Sequence, residues 1–189
     1  MKKIAIIIIC AFAAVTSFAQ VFKTVSIDNQ FADSLNKVVL DFKNNFRNIQ
    51  SQHLPVEINA DAYQSKICLP GASHCTILRY HSEEDNSASW QATMYTGDSY
   101  NEAVKIYKKV FSQIKKISIK GIESAPTKFK GDIESIDENV RFTVSSLRLS
   151  TSDIMFKNFV ADIELTNTYF GWEVHLNLYS KKLSADLND

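Results

Sequence analysis

Three groups of side chains in this sequence sit close enough together to do chemistry. The first is Cys68-Leu69-Pro70-Gly71-Ala72-Ser73-His74-Cys75. Pro70 sets its own φ and Gly71 accepts a positive φ, so the pair predicts a tight turn. A turn there brings Cys68 and Cys75 within disulfide reach. The competing reading is a metal site built from Cys68, His74 and Cys75. His74 and Cys75 are adjacent, and on an extended strand their side chains point to opposite faces, which disfavours joint ligation.

The second group is Glu173, His175 and Asp162. Glu173 and His175 alternate on one face of a predicted strand and could form an acid–base pair; Asp162 shares the polar phase of the strand before it. A solvated strand surface explains the same pattern. The third group is the acidic run Glu83-Glu84-Asp85. A calcium loop needs alternating ligands and a glycine at its bend, so this run reads instead as a solvated turn. The four histidines show no zinc spacing, and there is no GxSxG, GxGxxG or phosphate loop. No cofactor or metal is expected from these patterns.

Surrounding segments set the context. Met1-Lys2-Lys3 is basic, residues 4–15 are an unbroken apolar run, and Ser17-Phe18-Ala19 places small residues before Gln20. That is the pattern of a signal peptide over residues 1–19, too short for a comfortable membrane span. Cys10 lies inside it, preceded by Ile9 rather than the small residue that lipidation needs. Of the 3 cysteines, Cys68 and Cys75 then remain in an exported chain, and an oxidising compartment favours their pairing. The expected location is periplasmic or extracellular.

The whole chain has 21 basic and 21 acidic residues. Loss of Lys2 and Lys3 leaves a slight acidic excess, so nothing electrostatic points to nucleic acid or an anionic membrane. After residue 19 no apolar run is long enough to span a bilayer. Residues 20–189 are expected to form one α+β domain.

Two amphipathic helices should pack on an antiparallel sheet, in the order α-β-β-(β)-α-β-β-β-β. The first helix is capped by Asp28 or Asn29 and carries Phe31, Leu35, Val38, Val39, Phe42, Phe46 and Ile49 on one stripe. The second begins at the capping box Ser99-Tyr100-Asn101-Glu102, carries a stripe from Ala103 to Ile117 and stops by Gly121. Strands are predicted at 63–67, 76–80, 90–95, 132–136, 141–149, 159–165 and 172–178, with 123–131 as a connection and a bulge at Ser145-Ser146. Residues 20–97 and 98–189 each run from helix into strands, the pattern a degenerate duplication would leave. The tail from Ser184 is polar.

Three functions are compatible with this pattern. A non-catalytic exported module would bind a protein or small-molecule ligand through a sheet face or the disulfide loop. Tyr95, Tyr100, Tyr169 and Tyr179 would suit such a contact surface, and would suit core rims equally. A small hydrolase-type enzyme would use Glu173, His175 or Asp162. A carrier would hold a small apolar ligand against Phe42, Phe46, Trp90 and Trp172. The missing catalytic motifs favour the first.

Overall fold

A computed structural model describes residues 27–55, 60–80 and 87–181. The signal peptide expected at residues 1–19, the acidic run at 83–85 and the tail from Ser184 lie outside the described residues.

Helix α1 spans Ile27–Asp41, so Asp28 and Asn29 fall inside its first turn rather than before it. It also stops earlier than its apolar stripe predicts. The reason is Asp41. Its Oδ1 accepts from Asn44 Nδ2 (2.9 Å) and Asn48 Nδ2 (2.7 Å), and its Oδ2 accepts from the N–H of Ile49 (3.2 Å). One buried carboxylate thus gathers donors from the next eight residues and turns the chain back on itself. Phe42–Asn44 is a 3-10 turn, and Asn45 and Phe46 have φ of 53° and 58°. A left-handed backbone is costly for Phe, and the complete burial of Phe46 against Phe42 (5.8 Å) offsets it.

The chain then makes a four-stranded meander: β1 (Gln50–Leu54), β2 (Ala60–Ser65), β3 (His74–Tyr80) and β4 (Ala88–Gly97). β1 is a strand where none was expected. Helix α2 (Tyr100–Lys116) follows, with the Ser99 hydroxyl accepting from the N–H of Glu102 (3.3 Å). The Glu102 carboxylate turns toward Lys105 (3.5 Å). The second meander is β5 (Ser118–Ile119), β6 (Thr127–Lys130), β7 (Phe142–Leu149), β8 (Phe159–Thr168) and β9 (Gly171–Ser180). Among the described residues all nine strands join one antiparallel sheet, ordered β1-β2-β3-β4-β9-β8-β7-β6-β5. The last strands of the two meanders, β4 and β9, therefore meet at the centre.

Two expectations fail for identifiable reasons. The segment 132–136 is not a strand; β6 lies before it, inside the expected connection. Gly131 marks the crossing, because a Cβ there would stand 2.3 Å from the carbonyl oxygen of Ser146. Nor is there a bulge at Ser145-Ser146, since β7 pairs with β8 in unbroken register from Phe142 to Arg148. Thr143, Ser145, Leu147 and Leu149 all face inward. Ser145 is a hydroxyl in the core because Tyr107 of α2 needs a partner there: the two oxygens are 2.5 Å apart, and Ser145 Oγ also accepts from the N–H of Glu134 (2.8 Å).

Both helices share one hydrophobic cluster with the inward face of the sheet. Phe31, Leu35, Val38 and Val39 of α1 and Ala103, Tyr107, Val110 and Ile114 of α2 meet Ile77, Trp90, Ala92, Leu147, Ile163, Val174, Leu176 and Leu178. Burying each such large side chain contributes about 1.5–3 kcal/mol. Among the described residues, neither helix packs on the opposite face of the sheet.

Candidate functional site

The alternation of β8 and β9 decides what that opposite face carries. With Ala161, Ile163, Leu165, Val174, Leu176 and Leu178 turned to the core, Asp162, Glu164, Thr166, Glu173, His175, Asn177 and Tyr179 must face the other way. Pairing then lines up residues far apart in sequence. His74, Thr93, His175 and Glu164 stand directly opposite one another across β3, β4, β9 and β8. Next to this row runs another: Thr76, Gln91, Asn177 and Asp162.

Hydrogen bonds tie the first row into a chain. His175 Nε2 lies 2.8 Å from Glu173 Oε2, and Thr93 Oγ1 lies 3.2 Å from His175 Nδ1 and 3.0 Å from His74 Nε2. Ser73 Oγ lies 3.1 Å from His74 Nδ1. With Glu173 ionised, His175 donates from Nε2. A neutral His175 then accepts from the Thr93 hydroxyl, which accepts in turn from His74 Nε2–H, while the Ser73 hydroxyl beside His74 Nδ1 donates to the backbone carbonyl of Thr93 (3.3 Å). Thr93 has one proton and two imidazole neighbours, so the direction of the whole chain is correlated.

The second row is built from amides and carboxylates. Gln91 Nε2 donates to Asn177 Oδ1 (2.9 Å), and the Asn177 amide donates to the Glu164 carboxylate. Burial pushes the Glu164 carboxyl above the usual carboxylate range, and the neighbouring charge of Asp162 adds to this; the Asn177 bond, His175 and Lys181 oppose it. The Tyr179 hydroxyl donates to Asp162 Oδ2 (2.7 Å), and burial followed by that bond pushes its pKa well up. Lys181 Nζ approaches the same oxygen at 3.7 Å.

Leu78, Tyr80, Ser89, Gln91, Glu164, Asn177 and Tyr179 line a depression of about 310 Å³ on this face. A second, of about 530 Å³, lies beside the disulfide loop and is lined in part by Gln64, Ser73, His74 and Thr76. The loop is closed by the Cys68–Cys75 disulfide, with Cα atoms 5.4 Å apart. Inside it Ala72 N–H donates to Leu69 O (3.0 Å) around Pro70 and Gly71, whose φ is +90°, a type II turn. Both sulfurs are committed to each other, and among the described residues no three His, Cys, Asp or Glu side chains are grouped as a metal site.

Of the residues singled out from sequence, Glu173 and His175 are brought into contact, while Asp162 stands apart on β8, bonded to Tyr179. Tyr169 is almost fully exposed at the β8–β9 turn, and Tyr95, Tyr100 and Tyr179 are half-buried. Phe42 packs on Phe46, Phe156 and Phe159, Trp90 donates to Ser65 Oγ (2.9 Å), and Trp172 packs on Tyr100. Sequence reasoning passed over Glu164, Gln91, Asn177 and Thr93, and weighed His74 only as a metal ligand beside Cys68 and Cys75. The β8 alternation did carry Glu164, because it shares a phase with Asp162. Only the register could join the rest.

Fold and face together define a two-layer α+β protein whose sheet presents one polar, hydrogen-bonded face. Comparison with protein-family models, with curated proteins and with solved structures finds no match. Function therefore has to be read from the geometry.

Proposed function

We propose that this chain is an exported, non-catalytic binding module of one domain, residues 20–189, and that it takes its ligand on the polar sheet face. One observation carries the reading: side chains from β3, β4, β9 and β8 converge on a depression that neither helix covers. Its groups are held in place by bonds to one another, and preorganised donors and acceptors lose little entropy on binding. Export is supported by the signal-like residues 1–19 and by the disulfide, which persists in a periplasmic or extracellular setting. The common helix-then-meander order of the halves, meeting at β4 and β9, supports a degenerate duplication.

Native mass spectrometry of the protein recovered from envelope extract of its host tests the function. A chain beginning at Gln20 with a retained ligand is expected. The ligand should be lost from Tyr80→Ala and kept by Lys108→Ala, on the exposed side of α2. Retention of nothing by any form, or equal retention by both variants, would overturn the reading.

A hydrolase is the second reading, favoured by the bonded chain from Glu173 through His175, Thr93 and His74 to the exposed Ser73 hydroxyl. A fluorophosphonate probe should then label Ser73 and fail on His74→Ala. No labelling of the native protein removes this alternative.

A further inference from the structure

The acidic groups of the polar face are not treated alike. Glu173 has His175 at 2.8 Å, and Asp162 has the Tyr179 hydroxyl at 2.7 Å and Lys181 at 3.7 Å. Glu164 accepts from the Asn177 amide and feels His175 and Lys181 at longer range; among the described residues no lysine or arginine forms an ion pair with it. It is half-buried and lines the depression of about 310 Å³. A carboxylate in that setting carries a desolvation cost that a cation in the depression would relieve. Next to it on the same face of β8, Asp162 Oδ1 is buried with no hydrogen-bond partner. The face therefore holds more acceptor capacity than its own donors fill.

The walls have complementary chemistry. Tyr80, Tyr179 and Leu78 supply aromatic and apolar surface, and Ser89, Gln91 and Asn177 supply polar rims. Aromatic faces beside a carboxylate suit an ammonium group, because the ring quadrupole and the anion attract the same charge. The Tyr179 hydroxyl is already engaged by Asp162, which leaves its ring to serve as wall. We propose that this depression binds the cationic head of a small organic amine, with Glu164 as its counter-ion and Tyr80 and Tyr179 as its walls. The proposal rests on the reading of the polar face as the ligand site and names the ligand class.

Other charged groups set the pH behaviour. Among the described residues, His175 stands opposite Glu164 on β9, Asp162 is its neighbour on β8, and Lys181, Arg148, Glu173 and the tyrosines Tyr80 and Tyr179 lie around it. Acidification neutralises Glu164, whose carboxyl burial already pushes up, and so removes the counter-ion; affinity should fall as pH falls.

Two-dimensional amide NMR at constant ionic strength, with n-butylammonium chloride against n-butanol, tests this on the disulfide-intact protein. Shifts at Gln91, Glu164 and Asn177 are expected with the ammonium and not with the alcohol. Glu164→Gln should weaken the ammonium at least tenfold while keeping the native spectrum elsewhere. Equal response to the alcohol, no response to the ammonium, or undiminished binding by Glu164→Gln would overturn the cation assignment. In each case, ligand retention lost by Tyr80→Ala in the extract experiment would show that the polar-face reading itself survives.

Discussion

Glu164 and His175 face each other directly across the β8–β9 ladder, yet the imidazole does not serve Glu164; its Nε2 bonds Glu173, two positions along its own strand, at 2.8 Å. Same-strand pairing thus engages the imidazole that stands opposite Glu164. The consequence is a half-buried carboxylate whose hydrogen bond comes from the Asn177 amide, at the edge of a depression.

Glu164 should make the fold less stable as pH rises. Its carboxyl is pushed up in the folded state, so the native protein holds this proton more tightly than the unfolded chain does. The stabilisation is complete below the ordinary carboxylate value and is lost as pH climbs through the raised one. Glu164→Gln should therefore raise Tm by a few degrees at neutral pH, and the gain should vanish in acid. Calorimetric melts of both proteins across pH 3 to 8, on the order of one pH unit apart, check this.

Glu123 should do the reverse. Its Oε1 accepts from Thr151 Oγ1 (2.5 Å), Ser152 N–H (2.6 Å) and Ser152 Oγ (2.9 Å), and these bonds, led by Thr151, hold its carboxyl below the usual range. The contribution is present above the unfolded value and is lost as pH falls through the folded one. Glu123→Gln should lower Tm at neutral pH and converge on the native protein in strong acid. The same melts distinguish the two carboxylates by opposite trends.

Ser145→Ala should cost more than Tyr107→Phe. Removing the Ser145 hydroxyl leaves both the Tyr107 hydroxyl and the Glu134 N–H without their shared partner. Buried groups stranded in this way cost about 1–3 kcal/mol. Tyr107→Phe keeps the Glu134 bond and should cost about 0.5–1.5 kcal/mol. Urea denaturation midpoints at constant m provide the comparison.

Reduction of Cys68–Cys75 should destabilise without unfolding. The bond closes a short loop, for which the chain-entropy model gives about 2.5 kcal/mol. Leu69 and Cys75 belong to the hydrophobic core, whose burial should hold the loop in place after reduction. Urea midpoints with and without a phosphine reductant should differ by that amount, with the far-ultraviolet spectrum retained.

Much of this architecture was written locally. Ser99 and Glu102 start α2, Pro70 and Gly71 turn the disulfide loop, and the two-residue period of β8 and β9 separates a core face from a polar one. These features rest on bonds or burial within a few positions, so residue order alone determines them. Tertiary structure decided the remainder. The end of α1 depends on an Asp41 carboxylate that reaches as far as Ile49, and Ser145 faces inward for a tyrosine 38 positions away. β1 exists because β2 pairs with it. The row His74, Thr93, His175, Glu164 forms only when β4 and β9, distant in sequence, dock at the centre of the sheet. A slip of one residue there would turn each of those side chains to the other face, and no local pattern encodes the choice of partner strand.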